Sequence, residues 1–334
     1  MSGANKIERA ARAMSLSGGG AVLRRLPAWS GVLTFCFHRI GSPGDPGWDS
    51  SLWDVRIDQL DCRLALLRRH ADVIAPSDLL GIEAAPRGRH VLLTFDDGYR
   101  EWATDVLPLL QSHGVSAAFF LATGFIDRPR PPWWYEVPWM VRHASATHLP
   151  GEGWLREPLR IDGARCDHAI EALLDIYKTL PGDQTEFFLA WIGEATRSGR
   201  CDPTATENDW LTWDMVRELR DAGMEIGGHT VDHPILANLP PQEQHDQITG
   251  CARRIEAELG QPMRMFSYPV GLPGSFGAHA REALEAEGVR LAFGYHGGFA
   301  HGGLDPLDVP RVTGGMSSDI FRATLALPQV FGRW

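Results

Sequence analysis

Runs of four to eight apolar, β-branched and aromatic residues recur along this chain, and between them lie longer stretches whose apolar positions fall three or four apart. The first pattern marks buried strands and the second amphipathic helices. GVLTFCFH (31–38) and HVLLTF (90–95) read as strands. Between them, IDQLDCRLALLRRH places Ile57, Leu60, Leu64 and Leu67 on one helical face. WATDVLPLLQSHG then reads as a helix closed by Gly114, despite Pro108, and VSAAFFLA (115–122) as a third strand. This order predicts a parallel sheet wrapped by helices.

The rhythm breaks over residues 126–207, which are rich in Pro and Trp and then helical around 169–180 and 186–196. Such an insertion is expected over the C-terminal end of the sheet, where ligand-covering loops belong. Alternation then resumes. TWDMVRELRDAG is a helix with Thr212 as N-cap and Gly223 as its stop. MEIGGHT, MRMFSYP and VRLAFGY read as strands, separated by the helices PQEQHDQITGCARRIEAELG and AHAREALEAEG. LDVPRV is a last short strand before the helix SDIFRATLAL. The fold class is α/β, with about seven strands and no internal repeat. The expected organisation is an N-terminal helical segment over 1–30 and one barrel domain over 31–327, interrupted by the 126–207 insertion.

A formal net charge of -10 opposes a nucleic-acid binder, which needs a basic footprint. The five cysteines, Cys36, Cys62, Cys166, Cys201 and Cys251, are far apart without a CxxC, so they read as reduced thiols of a cytoplasmic protein. The N-terminus lacks the apolar core of a secretory signal, and no run of about 18 apolar residues suggests a membrane span. Lys6, Arg9, Arg12, Arg24 and Arg25 alternate with Ile7, Ala10, Ala11, Met14 and Leu16. Two readings follow: a terminal helix docked on the domain, or an amphipathic helix touching the inner membrane face. The 12 Trp residues favour a carbohydrate site weakly, since indole rings are core filler first.

Chemistry concentrates at two strand ends. TFDDG places Asp96 and Asp97 at the C-terminal end of a strand, the ligand side of a parallel barrel. Adjacent strand residues point opposite ways, so both acids serve one site only if the chain turns there, as Gly98 permits. Two close carboxylates repel unless a cation joins them. A helix N-cap is the plain alternative for this pair. GGHTVDH follows another strand, and His229 and His233 are four apart, which puts two imidazoles on one face of a helical turn. Two His and a carboxylate hold a divalent metal and leave open positions for catalysis.

TFDDG and HTVDH resemble the first two signature motifs of the NodB-homology polysaccharide deacetylases, carbohydrate esterase family 4, over roughly residues 31–327 without the insertion. The resemblance implies a distorted (β/α)7 barrel that hydrolyses an N-acyl group, usually acetyl, from an amino sugar. It implies Asp97, His229 and His233 as ligands of one divalent metal, Zn2+ first, with Mn2+, Co2+ or Ni2+ as options, and Asp96 as base. The family's R-x-P-[YF] motif is replaced here by Ser267-Tyr268-Pro269-Val270, so its Arg is missing. Val270 keeps the backbone N–H that would bind the oxyanion. Arg311 is the candidate to replace the missing Arg, against an ordinary surface ion pair. FCFHRI resembles permuted branches of the family, in which the acid His precedes the aspartates; this implies His38 as general acid, against a strand-end core His. Tyr99, Tyr268, Trp133 and Trp134 are candidate substrate contacts.

The expected substrate is a cytoplasmic amino-sugar compound: a nucleotide sugar, a lipid-linked saccharide or an oligosaccharide. Alternatives are a deformylase or other amide hydrolase of the same fold, a non-catalytic saccharide-binding barrel, and an Fe(II) oxygenase using the same two His and carboxylate.

Overall fold

The computed structural model describes residues 3–20, 29–43, 50–81, 88–300 and 303–332. Seven strands carry the fold: β1 Gly31–Phe37, β2 Arg89–Asp97, β3 Ala118–Leu121, β4 Glu225–Gly228, β5 Met265–Ser267, β6 Leu291–Phe293 and β7 Val312–Thr313. They run parallel to one another in the order β6-β5-β4-β3-β2-β1-β7. The segment that holds β7 spans the gap between the sheet's two edges. Val309 bridges Phe293 of β6, and Val312 and Thr313 pair with Phe35 and Cys36 of β1. The sheet is thereby a curled, barrel-like surface.

Among the described residues, ten α-helices of seven residues or more accompany it: α1 Gly3–Leu16, α2 Ile57–His70, α3 Leu107–His113, α4 Trp133–Arg142, α5 Cys166–Thr179, α6 Thr185–Thr196, α7 Trp213–Asp221, α8 Pro241–Leu259, α9 Ala278–Ala286 and α10 Ser318–Ala326. The sequence pattern finds α1 to α3 and α5 to α10, whereas α4 falls in the Pro- and Trp-rich stretch that it reads only as insertion. Thr212 caps α7 through its side-chain oxygen, which accepts the Met215 N–H at 3.3 Å. Pro108 is tolerated where a widened π-turn, Trp102–Val106, runs directly into α3, a departure from the regular α-helical bonding that a proline would break.

Strand parity sorts the core. Side chains alternate between faces along a strand. Leu33, Phe35 and Phe37 of β1 and Leu93 and Phe95 of β2 join Leu60, Leu64 and Leu67 of α2 in the outer layer. The opposite parity, Val32, Leu92, Ala118, Phe120, Met265, Leu291, Phe293 and Val309, forms an inner cluster. Continuing that inner parity two to six residues toward the strands' C-terminal ends reaches His38, Asp96, Ser267 and Arg311.

The segment from α4 to α6 builds its own core from Val137, Met140, Ile170, Leu173, Phe188 and Ile192. Buried Arg39 ties it to the barrel. Its guanidinium bonds Glu101 (2.8 Å), Asp209 (3.0 Å) and the Tyr135 hydroxyl, and lies over the rings of Trp53 and Tyr99. At the other end of the chain, α1 docks through Ile7, Ala11 and Met14 onto Ile320, Ala323, Leu327 and Phe331. These three residues are taken up inside the molecule, as the docked reading expects, while Leu16 is 80% exposed; Arg24 and Arg25 lie outside the described residues. Among the described residues, no helix is long and apolar enough to cross a membrane.

Candidate active site

Asp96 and Asp97 end β2, and the chain turns on the second of them. Asp97 has φ 96° and Gly98 φ 110°. The turn begins one residue earlier than the glycine alone would suggest, and this re-aims the Asp97 carboxylate toward the face that Asp96 already holds. A non-glycine residue in the positive-φ region costs about 1–3 kcal/mol and persists where its surroundings over-determine it. Among the described residues, five non-glycines have positive φ, and four of them are Asp97, Thr230, His233 and Val270. Strain is thus concentrated at one place. The fifth, Arg197, is the left-handed C-cap of α6.

The two imidazoles do not share a helical turn, as their spacing suggests. Residues 229–233 form an irregular turn, with Thr230 at φ 68° and His233 at φ 55°. The Thr230 hydroxyl accepts the His233 N–H at 2.9 Å and donates to the His229 carbonyl. The turn still brings both rings together, with centroids 4.6 Å apart.

His229 Nδ1 lies 2.7 Å from the Ser267 carbonyl. A carbonyl only accepts, so in the neutral ring this nitrogen carries the proton and Nε2 is left to face a metal. That Nε2 is 3.4 Å from Asp97 Oδ1, and His233 Nε2 is 3.5 Å from the same oxygen. All three ligand atoms lie within 4.8 Å of one another, fully inside the protein. Burial, and then the neighbouring His229, push the His233 imidazole down to about 3, so it is neutral, as a metal ligand must be. Among the described residues, no hydrogen bond of normal geometry reaches Asp97 Oδ1, and only the two imidazoles approach it. Converging lone pairs with no proton between them repel one another, and a divalent cation removes the conflict. The trio fits such an ion.

Asp96 is held differently. Arg311 reaches it from the closing segment, with Nη1 donating to Oδ1 at 2.7 Å and Nη2 to Oδ2 at 2.8 Å. Ser267 Oγ accepts from Arg311 Nη2 at 2.7 Å and donates to Asp96 Oδ2 at 2.8 Å. Burial opposes ionisation of Asp96, but the Arg311 charge overcomes it and holds the carboxyl well below the usual carboxylate range. Arg311 is 1% exposed, so it is not a surface ion pair.

His38 lies just past β1, with Nδ1 3.3 Å from Asp54 Oδ2, which also accepts the His38 backbone N–H at 2.5 Å. Burial alone would lower its imidazole; the bond to Asp54 and the carboxylates of Asp54, Asp97 and Asp96 lift it from 6.5 to about 9. A cation at Asp97 offsets part of that lift and leaves Asp54 as its main support. Val270 has φ 64°, and the Gly271 N–H donates to the Pro269 carbonyl at 2.7 Å. This is a γ-turn of the rare positive-φ kind. Its closing bond uses the Gly271 N–H, and no hydrogen bond from the Val270 N–H is seen among the described residues.

These groups line an open cleft of about 280 Å³. His38, Asp96, Asp97, His229, His233, Val270 and Arg311 share it with Trp133, Trp134 and Tyr268. Trp134 packs 4.3 Å from the His233 ring, and Trp133 stacks on Tyr177 at 4.5 Å. Tyr268 contributes ring edge only, because its hydroxyl donates to the Leu307 carbonyl at 2.9 Å. Tyr99 departs from the expectation that it touches substrate. It is 1% exposed, stacks on Trp210 at 5.1 Å, and its hydroxyl accepts Trp134 Nε1–H at 3.0 Å, so it sits behind the cleft wall.

Sequence reasoning gave no role to Ser267, Asp54, Lys178, Leu272 or Tyr295, of which the last three also line the cleft. Tyr295 lies two residues past β6, on the parity of Phe293, so the strand-end rule applied to Asp96 and His38 would have found it. Asp54 lies in the three-residue strand Trp53–Val55, and Lys178 in the last turn of an insertion helix; neither position carries a local signal.

Comparison with known proteins agrees with this geometry. The family model described as polysaccharide deacetylase matches residues 83–292. The Bacillus subtilis (strain 168) protein YxkH, whose name places it among polysaccharide deacetylases, is 30% identical over 115 residues. That match covers 34% of this chain and 40% of YxkH, so it spans less than half of that relative's length. Among solved structures, IcaB from Ammonifex degensii is similar at 18% identity with a TM-score of 0.57, covering 90% of this chain and 98% of that one. A de-N-acetylase from Aggregatibacter actinomycetemcomitans has 15% identity and a TM-score of 0.56, covering 88% and 99%. The Streptococcus pyogenes deacetylase PplD, in complex with acetate, has 15% identity and a TM-score of 0.54, covering 85% and 92%. At these identities the likeness concerns the fold.

Proposed function

Because this chain belongs to the polysaccharide deacetylase family, we propose that it is a metal-dependent hydrolase that removes an N-acetyl group from an amino sugar. The observation that carries the reading is the convergence of Asp97, His229 and His233 beside an Arg-held Asp96 in one cleft. Asp97, His229 and His233 would hold a divalent ion, with Zn2+ the first choice for a carboxylate and two imidazoles, and a bound ion would supply Lewis acidity and a water of lowered pKa.

The chain's own residues do the rest. Asp96, ionised and aimed by Arg311 and Ser267, takes the proton of the attacking water. The Val270 N–H donates to the oxygen that gains charge as the carbonyl carbon becomes tetrahedral. His38, protonated through Asp54, gives its proton to the departing nitrogen. Water and amide thus become acetate and a free amine. Trp133 and Trp134 wall the site that receives the sugar ring. We place the substrate among cytoplasmic saccharides, nucleotide sugars or lipid-linked intermediates.

The direct assay is acetate release from N-acetylated amino sugars by chelated protein, before and after Zn2+ is restored. Metal-dependent release supports the reading, and silence across sugars of all three kinds counts against it.

Asp54→Asn tests the acid. A His whose folded pKa is raised contributes stability fully present below its unfolded value of about 6.5, lost as pH rises through about 9. The alkaline limb of the rate profile should follow the same group. In Asp54→Asn it is expected to move down toward pH 6.5, with the acid limb unchanged. An alkaline limb that stays in place would remove His38 from the acid role.

A further inference from the structure

We propose that Gln247, on α8, is a positioning residue that clamps the metal-ligand turn, and that it does so jointly with Asp232 and Arg130. The inference rests on Asp97, His229 and His233 being the metal site. The turn between the two imidazoles contains two non-glycine residues with positive φ, so its shape is not one the backbone adopts unaided. Two of its N–H groups, those of Val231 and Asp232, donate to one acceptor, Gln247 Oε1, at 3.0 and 2.9 Å. The same amide turns its nitrogen to Asp232, with Nε2 donating to Oδ2 at 3.0 Å. Asp232 Oδ1 accepts Arg130 Nη2–H at 2.6 Å, and Arg130 Nη1 donates to the carbonyls of Gly124 and Arg128, both at 3.1 Å.

The opposite side of the turn is fastened by backbone. The N–H groups of Thr123 and Gly124 donate to the carbonyls of Thr230 and Val231 at 3.2 and 2.8 Å. Gly124 has no room for a side chain, since a Cβ there would lie 2.7 Å from the Val231 carbonyl oxygen. One face of the turn is thus held by β3's outgoing chain and the other by a single amide side chain. Only a side chain with an acceptor for two N–H groups and a donor for a carboxylate fits the second place. Losing it leaves two turn N–H groups without an acceptor and frees Asp232, so His229 and His233 lose their fixed approach to Asp97. Residues that orient metal ligands typically contribute 10–100-fold in metal affinity.

Apo protein prepared by chelator dialysis is titrated with Zn2+ against a competing chromophoric chelator, with melting temperature recorded in parallel. Gln247→Leu is expected to weaken Zn2+ binding about 10–100-fold. Gln247→Glu places a second carboxylate against Asp232 and is expected to weaken binding similarly. The double variant Asp232→Asn with Gln247→Glu reverses donor and acceptor in that one bond and keeps the others, so it is expected to recover affinity. Parent-like affinity in Gln247→Leu, or a double variant no better than Gln247→Glu alone, would overturn the clamp. Failure of the parent to bind Zn2+ would remove the metal site itself, and with it the clamp.

Discussion

Arg311→Met is expected to cost about 3–5 kcal/mol of folding stability at neutral pH, the scale seen when one partner of a buried ion pair is removed. All five guanidinium N–H groups are used: Nε on the Gly294 carbonyl, Nη1 on Thr94 Oγ1 and Asp96, Nη2 on Asp96 and Ser267 Oγ. Methionine fills much of the volume but leaves a buried carboxylate without a counter-charge. The pH dependence identifies the cause. In the parent, the depressed pKa of Asp96 gives stability that is present above the unfolded value of about 3.9 and lost as pH falls through the lower folded one. In Arg311→Met, burial raises that pKa instead, and the variant loses stability as pH rises from 4 to 7. The destabilisation should therefore shrink toward pH 4, and adding Asp96→Asn should recover part of it. Urea unfolding at several pH values, with unchanged m-values, measures this. A loss that is flat in pH would mean that Arg311 acts through packing alone.

Asp96→Asn carries the second large effect. An amide cannot take a proton from water, and positioned proton transfer is worth about 10²–10⁴-fold. We expect kcat/KM for acetate release to fall by that factor while Zn2+ uptake persists, since Asp96 is outside the ligand trio. The assay is run at a temperature where circular dichroism shows both proteins folded, because the substitution also weakens the pair with Arg311. Retained activity would assign the base elsewhere. Loss of Zn2+ together with activity would make Asp96 a ligand rather than a base.

The sheet and most helices were legible because burial on both faces makes β1 and β2 continuous apolar runs, because one-sided burial imposes period 3.6 on α2 and α7, and because Gly114, Thr212 and Gly223 mark ends. The acid pair and the His pair were legible as strand-end chemistry. The shape of the His turn was not: a four-residue spacing suggests a helical turn, whereas packing against residues 123–124 and Gln247 imposes left-handed backbone at Thr230 and His233. Arg311 could be named but not placed, since its reach to Asp96 depends on the closing segment bridging β6 and β1, a contact between residues 215 apart. Tyr99 misled because proximity to TFDDG in sequence says nothing about the side on which a ring packs. Asp54 and Lys178 were invisible for the same reason: long-range topology, rather than local pattern, brings Asp54 to His38 and Lys178 to the cleft.

The claim on which the account stands is that Asp97, His229 and His233 close on one divalent ion. A crystal structure of the Zn2+-soaked protein, with anomalous data at the zinc edge, tests it. The expected map has one strong peak about 2.0–2.2 Å from a carboxylate oxygen of Asp97 and from a ring nitrogen of each histidine. A map in which the zinc peak lies away from these three side chains, or in which no peak forms at full soak, would contradict it.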